Sequence, residues 1–128
     1  MSLLVSNKEL IKEFPFIVDS DDILFTEAGF TFLDDMPQGW KKAFGIELCK
    51  TLKSVLEHYG ELEEYKVLQV KEKYGTLRWY DNSTNPEVCK VVSYFEKLSA
   101  KTCAVCGATV IDYRDYPLCE DCIKKIRG

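Results

Sequence analysis

Four of the six cysteines lie in one short stretch near the end of the chain, TCAVCGATVIDYRDYPLCEDC. They form two Cys-x-x-Cys pairs, Cys103 with Cys106 and Cys119 with Cys122, and twelve residues separate the pairs. Two residues between thiolates let one turn of backbone present both sulfurs to one metal ion. Four soft sulfur ligands are the tetrahedral set that zinc prefers. The spacing therefore favours a site for one Zn²⁺.

The alternatives to zinc are an iron or iron–sulfur site, a redox pair and disulfides. A thioredoxin-like redox motif needs a single pair at a strand-to-helix junction, so two pairs twelve residues apart do not fit it. The first residues, MSLLVSNKEL, lack the basic segment and apolar run of a signal peptide. We therefore expect a cytoplasmic protein, whose thiols stay reduced or bind metal.

The cysteine cluster is expected to be structural. A catalytic zinc ion keeps an open position beside three protein ligands, whereas four thiolates close the coordination shell. The intervening ATVIDYRDYPL could not form a core of its own, so metal binding would supply its folding energy. His58 is the only histidine, and no Cys–His or Ser–His–Asp set and no phosphate-binding glycine loop is present. We expect no enzymatic activity.

The two remaining cysteines fall within predicted helices. Cys49 lies on the apolar face of its helix and Cys89 lies in the next helix. Neither has an evident context that would stabilise a thiolate, and free cysteine is often buried as a small hydrophobic residue. We expect both to pack in the core.

Apolar periodicity predicts two main helices. From Trp40 to Tyr59 apolar residues recur every three or four positions, and Gly60 is placed to end that helix. Asn85 and Pro86 are a favourable helix start, followed by an apolar stripe to about Ala100. A shorter helix is expected after a capping box at residues 6–9 and before Pro15, and residues 23–33 read as a short strand or an irregular packed segment.

Two stretches rich in β-forming residues lie between the main helices. YKVLQVK at 65–71 and LRWY at 77–80 flank EKYGT, in which Gly75 can adopt a positive φ. This pattern predicts a β-hairpin at 65–80. The expected fold is α+β, with two main helices on a small antiparallel sheet and a C-terminal four-cysteine zinc ribbon or knuckle. We expect a core at 1–101 and a ribbon module at 102–128, docked as one domain.

The order of these motifs resembles a family of small, mostly uncharacterised proteins of phages, prophages and related bacterial genomes. The resemblance rests on GW at 39–40, QVKEKYGTLRWY at 69–80, SAKTCAVCG at 99–107 and LCEDC at 118–122. Tyr74, Thr76 and Trp79 depart mildly from the family's V-K-E-K-F-G-G-L-R-F-Y, and Ile123 follows Cys122 where a glycine would complete a second knuckle. The resemblance implies an origin in a phage or mobile element, and no reaction.

Basic and aromatic residues alternate in the hairpin, where Lys71, Lys73, Tyr74, Arg78 and Trp79 are candidate partner-binding residues. Such residues bind nucleic acid through phosphates and stacked bases, and they also form hot spots of protein interfaces. A third interpretation is that Trp79 and alternating residues pack under the helices while the cations face water.

Charge and the lack of long apolar runs disfavour some classes of function. The 128 residues carry a net charge of −4, and residues 1–35 hold eight acidic residues against two lysines. This balance disfavours a general DNA-binding protein, and the lack of a long apolar run disfavours a membrane span. We expect a non-enzymatic phage-type protein that binds a protein partner, with inhibition of a host defence protein or nuclease as one such role. The alternative is a nucleic-acid-binding zinc ribbon that uses the hairpin with Arg114, Lys124, Lys125 and Arg127.

Overall fold

The computed structural model describes residues 7–18, 30–110 and 116–127. In these residues the chain forms four α-helices and one two-stranded antiparallel sheet, which confirms the α+β class. None of the described helices is long and apolar enough to cross a membrane. In chain order the elements are α1 (Asn7–Glu13), α2 (three consecutive helical segments, Gln38–Trp40, Lys41–Gly45 and Ile46–His58), β1 (Val67–Lys73), β2 (Thr76–Asp81), α3 (Pro86–Ser99) and α4 (Glu120–Arg127).

The long helix α2 is the centre of the core. Its apolar stripe is buried as predicted, with Trp40, Leu48 and Leu52 completely inaccessible to solvent. The segment Lys41–Gly45 is π-helical. Apolar spacing could not foresee this, because a π turn changes the hydrogen-bonding pattern without changing the residue types.

The end of α2 confirms the role predicted for Gly60. Its φ is +66°, its N–H bonds to the carbonyl of Glu57 at 3.2 Å, and the N–H of Glu61 bonds to the carbonyl of Leu56 at 2.8 Å. These are the two bonds of a Schellman motif, in which a left-handed residue closes the helix. Tyr59, expected on the apolar stripe, is instead 50% exposed, because it is the C-cap and no longer follows the helical face.

The hairpin has a tighter turn than the sequence suggested, with β1 shifted two residues toward the turn and β2 two residues longer than predicted. Lys73 pairs with Thr76, so the loop is only Tyr74–Gly75. Their φ values are +55° and +81°, as in a type I′ turn, which matches the twist of the flanking strands. Val70, Leu77 and Trp79 point into the core, because alternate residues of a strand face the same side.

Helix α3 seals one edge of the sheet. Asn85 caps it by accepting a hydrogen bond from the Glu87 N–H at 2.9 Å, and Pro86 is its first residue, as predicted. Near its other end, Ser99 Oγ accepts from the Leu77 N–H at 2.8 Å and Glu96 Oε2 accepts from the Trp79 N–H at 3.0 Å. Side chains of α3 thereby accept hydrogen bonds from backbone N–H groups of β2 that face away from β1.

The N-terminal part packs against this frame through short helices. Helix α1 ends before Pro15 as predicted, while Ser6 of the expected capping box lies outside the described residues. Residues 23–29 of the expected strand or irregular packed segment also lie outside them. The described remainder is packed rather than a strand, since Phe32 and Leu33 are buried and Phe32–Asp35 forms a 3₁₀ helix that Thr31 and Asp34 close with a capping box. Local side-chain bonding overrides the β propensity of Phe32 there.

Candidate metal centre

The four sulfurs of the C-terminal cysteines lie together. The Sγ atoms of Cys103, Cys106, Cys119 and Cys122 are all within 4.8 Å of one another, and those of Cys106 and Cys119 are 3.6 Å apart. Tetrahedral coordination at a metal–sulfur distance near 2.3 Å places sulfurs roughly 3.8 Å apart. All four are free thiols. Their arrangement therefore fits one metal ion held by four cysteines.

The first pair is held by a tight backbone knuckle. The Cys103 N–H bonds to the carbonyl of Ala108 at 2.7 Å, and the Gly107 N–H bonds to the carbonyl of Cys103 at 2.9 Å. Gly107 has a φ of +86°, which a side chain would strain. This closes the loop around Cys103, whose side chain is fully buried.

Backbone donors surround the sulfur of Cys103. Burial by itself would raise the pKa of this thiol, but the backbone N–H groups of Cys106, Cys119 and Val105 bond to it and lower the pKa to about 6. Hydrogen bonds to the charged form of a thiol favour that form. A thiolate is the form of cysteine that binds metal.

The second pair uses a helix start in place of a second glycine knuckle. Helix α4 begins at Glu120, and the Ile123 N–H bonds to the carbonyl of Cys119 at 3.0 Å. Residues three apart on a helical turn lie on the same side, so the sulfurs of Cys119 and Cys122 converge without a glycine at position 123. Burial, followed by the neighbouring thiols, raises the pKa of Cys122 to about 12.

Backbone hydrogen bonds join the two halves of the site. The Ala104 N–H bonds to the carbonyl of Pro117 at 2.8 Å, and the Val110 N–H bonds to the carbonyl of Lys101 at 2.7 Å. Cys103, Val110 and Cys122 form a small buried cluster separate from the main core. With so few apolar residues of its own, this module depends on other interactions for its stability.

The module contacts the start of α2 closely. The Gly39 N–H bonds to the carbonyl of Ala104 at 2.8 Å, and Trp40 Nε1 bonds to the carbonyl of Thr102 at 2.9 Å. A Cβ on Gly39 would lie 2.1 Å from the Cys103 oxygen. Only glycine permits this approach, so the Gly-Trp dipeptide joins the cysteine module to the core.

The candidate partner-binding residues of the hairpin fall into two groups. Tyr74 is 82% exposed, Lys73 is exposed, and Lys71 and Arg78 are partly exposed. Trp79 is only 4% exposed, which agrees with the interpretation that it packs under the helices. Register explains the difference, because Trp79 lies across from buried Val70, on the face opposite to the cations.

The C-terminal cations and the two cysteines outside the cluster were also considered in the sequence. Lys124 and Lys125 are exposed on α4, while Arg114 and the side chain of Arg127 lie outside the described residues. Cys49 is fully buried as expected, and burial raises its pKa well above the usual value. Cys89 is exposed on α3, so the prediction that it packs in the core was wrong.

His58 is exposed at the end of α2, with its ring edge-on to Tyr59 at 4.9 Å between centroids.

Two groups of hydrogen-bonded polar side chains were not predicted from the sequence. Asp34 accepts hydrogen bonds from the Thr31 N–H at 2.9 Å and from Asn7 Nδ2 at 3.0 Å, and it pairs with Lys41. Tyr65 accepts from Trp79 Nε1 at 2.9 Å and donates to Asp81 at 2.7 Å. The capping pattern T-x-x-D at Thr31 was a usable signal for the first group. The second joins residues of different elements and had none.

Comparison of the chain with protein-family models, with curated proteins and with solved structures found no match in any of the three.

Proposed function

We propose that this protein is a non-enzymatic, zinc-stabilised binding protein that acts through contact with a protein partner. The observation that carries the proposal is the closed set of four cysteine sulfurs, two of them buried, tied by hydrogen bonds to the core. A metal ion held there has no open position for a substrate. Its contribution would be to fix the last part of the chain against α2.

Zinc is the proposed metal because of the ligand chemistry. Four thiolates in a roughly tetrahedral arrangement suit Zn²⁺, and each sulfur would donate one lone pair to the bound ion. The N–H groups around the Cys103 sulfur lower the charge density of the site, as outer-shell donors do in metal centres. Iron in the same ligand set is the alternative, and it is distinguished by its visible absorption.

The protein partner is proposed on two grounds. The resemblance of the chain to phage and prophage proteins suits a small protein that binds a host target, such as an inhibitor of a defence protein or nuclease. The residues that carry this resemblance also have structural roles, since Gly39, Trp40 and Ser99 join elements of the fold. A fold does not by itself fix a function, so such a scaffold is compatible with a family of binding proteins.

Native mass spectrometry of the purified protein tests the metal and the partner together. We expect one zinc ion per chain, lost in Cys103→Ser and kept in the control Cys89→Ser, whose residue is exposed on α3. Incubation with host proteins should give a stoichiometric protein adduct. A chain that is folded without metal, or that turns over a substrate with no stoichiometric partner, would contradict the proposal.

A nucleic-acid-binding role is the second candidate, favoured by the exposed Lys73 and Tyr74 at the hairpin tip. Phosphate contacts release counterions, so such binding weakens steeply with salt. A duplex or single-stranded DNA adduct that does not weaken from low to moderate salt would count against this role.

A further inference from the structure

The outer face of the hairpin carries a group of positive charges that the fold leaves unpaired. Lys71 lies directly across from Arg78, and Lys73 lies across from Thr76. Among the described residues none of these three cations has a salt-bridge partner. Like charges directly opposite one another destabilise a sheet, so this arrangement is unfavourable for the isolated protein.

Exposed aromatic rings lie beside two of these cations. Lys71 Nζ is 5.8 Å from the ring centroid of Tyr80, and Lys73 Nζ is 5.6 Å from that of Tyr74. Tyr80 is 43% exposed and Tyr74 is 82% exposed. The rings hold the ammonium groups in place on this face, which lowers the entropy lost when a ligand orders them.

The backbone conformation at position 74 does not favour the tyrosine that occupies it. Its φ of +55° is left-handed, a conformation that disfavours tyrosine, and Asn-Gly is the preferred pair for such a turn. The ring makes no core contact that would offset this, since it is largely exposed. A residue held in an unfavourable conformation with its side chain presented to solvent points to a use outside the fold.

Arg78 adds an unsatisfied donor to the same face. Its Nε is shielded from solvent and has no hydrogen-bond partner among the described residues. A guanidinium group is a favourable partner for carboxylates, and the partly exposed side chain of Arg78 adds a third positive charge to this face. Lys73 is the most exposed of the three cations, so a ligand would contact it first.

We propose that the outer face of the hairpin, formed by Lys71, Lys73, Tyr74, Arg78 and Tyr80, binds an acidic segment of a protein partner. This inference rests on the proposed function and names the surface and the chemistry of the partner. A polypeptide is favoured over nucleic acid by Leu68, 60% exposed at the bulge of the same strand, which offers an aliphatic contact. Three cations on a chain of net charge −4 give a weak electrostatic footprint for phosphates.

Titration of the zinc-loaded full chain with a short glutamate-rich peptide containing leucine and tyrosine tests this surface. Its matched lysine-rich peptide and oligothymidylate of equal charge serve as comparison probes. We expect the glutamate-rich peptide, and neither comparison probe, to change the amide chemical shifts of β1 and β2 in nuclear magnetic resonance spectra. No shift with that peptide at low salt, or tighter binding of the oligothymidylate, would overturn the inference.

Variants assign the binding to individual residues. The double substitution K71E/K73E should weaken peptide binding by at least about tenfold, as truncation of contact charges does. The matched control K42E/K50E changes two exposed lysines of α2 by the same charge and should bind as the wild type does. Tyr74→Asn should weaken binding while leaving the hairpin as stable or more stable, because asparagine suits the turn. Equal binding by K71E/K73E and K42E/K50E would overturn the inference.

Failure of the surface and failure of the proposed function give different results. If a cellular protein binds wild type and K71E/K73E in equal stoichiometric amounts, the contact lies elsewhere and only the surface is wrong. If the chain turns over a substrate and binds no protein stoichiometrically, the proposed function itself is wrong. Peptide binding is measured with the purified chain in either case, so the surface is decided independently.

Discussion

Asp34 is the most heavily bonded carboxylate among the described residues. Partial burial raises its pKa, but the hydrogen bond from Lys41, the Thr31 N–H, the charge of Lys41 and the bond from Asn7 together lower the pKa below the usual 3.8. A carboxyl whose pKa is lower in the folded state stabilises the fold above its unfolded pKa. That stabilisation is lost as the pH falls below about 3.8 through the folded value.

We expect Asp34→Asn to lower the free energy of unfolding at pH 7 by about 1–2 kcal/mol, the usual effect of losing a cap. The difference from wild type should shrink as the pH falls from 7 to well below 3.8, through the lowered pKa of the folded Asp34 carboxyl, because the wild-type carboxyl then becomes protonated. Urea unfolding at both pH values measures this. Asp35→Asn is the control, since burial and the charge of Asp34 raise the pKa of Asp35, and its removal should not destabilise. Equal losses in the two variants would contradict the assignment.

Tyr65 is the second residue whose side chain organises the core. Its hydroxyl accepts from Trp79 Nε1 and donates to Asp81, and burial followed by the bond to Asp81 raises its pKa far above the usual value. Tyr65→Phe leaves the buried indole N–H without an acceptor. Leaving a buried donor unsatisfied costs about 1–3 kcal/mol.

Urea unfolding of Tyr65→Phe should therefore show a loss in that range with an unchanged dependence on denaturant. Tyr94→Phe removes the same hydroxyl from a side chain that is 62% exposed and should be neutral. If both variants lose the same stability, the Trp79–Tyr65–Asp81 chain of hydrogen bonds has no special role.

Among the elements, α2 and the cysteine knuckle approach each other through their backbones. Gly39 lies against Cys103 and Ala104, and a Cβ at position 39 would meet backbone atoms at 2.1 Å and 2.6 Å. Gly107 faces it from the knuckle, where a Cβ would lie 2.8 Å from the Gly39 oxygen. Backbone cannot move aside as a side-chain tip can, so the two glycines set how the module sits on the core.

Gly39→Ala should destabilise the protein by about 1–3 kcal/mol, because overpacking against rigid backbone forces the two elements apart. Gly45→Ala is the matched control within the same helix, where the nearest atom to the added Cβ is 3.6 Å away. That variant should be neutral or more stable by up to about 1 kcal/mol, because alanine favours a helix. Thermal unfolding of both compares them directly. A similar change in the two variants would contradict the close contact.

At the scale of the whole molecule, the four-cysteine cluster and the core are joined. The indole of Trp40 is fully buried in the main core, yet its N–H bonds to the Thr102 carbonyl beside Cys103. Ala104 belongs to the main core cluster, while its neighbour Cys103 belongs to the cysteine cluster. A change at either site is therefore transmitted to the other through a few buried contacts.

Removal of the metal by a chelator should lower the melting temperature and shift Trp40 fluorescence, because metal binding energy contributes to folding. The loss should amount to several kcal/mol, and Cys103→Ser should reproduce it without chelator. Circular dichroism and tryptophan fluorescence followed together measure the effect, with Cys89→Ser as the control that retains the metal. An unchanged melting temperature after complete metal loss would contradict the coupling.

Much of the architecture followed from local patterns. The apolar spacing of α2, the left-handed glycine that ends it and the Asn-Pro start of α3 are each determined by residues close together in the chain. The two-residue turn was placed within the predicted loop, although its length was not foreseen, because neither glutamate nor tyrosine marks where pairing stops. The meeting of the four cysteines was also predictable, since sulfur chemistry and pair spacing are properties of short segments.

By itself, the sequence determined the classes of element and the donor set that a metal would need. The tertiary structure decided which side of the hairpin Trp79 faces, that Cys89 is exposed, and that Gly39 and Trp40 bind the cysteine module. It also brought Tyr65, Trp79 and Asp81 into one chain of hydrogen bonds. These features depend on residues that are distant in the chain and meet only when the chain packs. Local sequence patterns cannot predict which distant residues will meet.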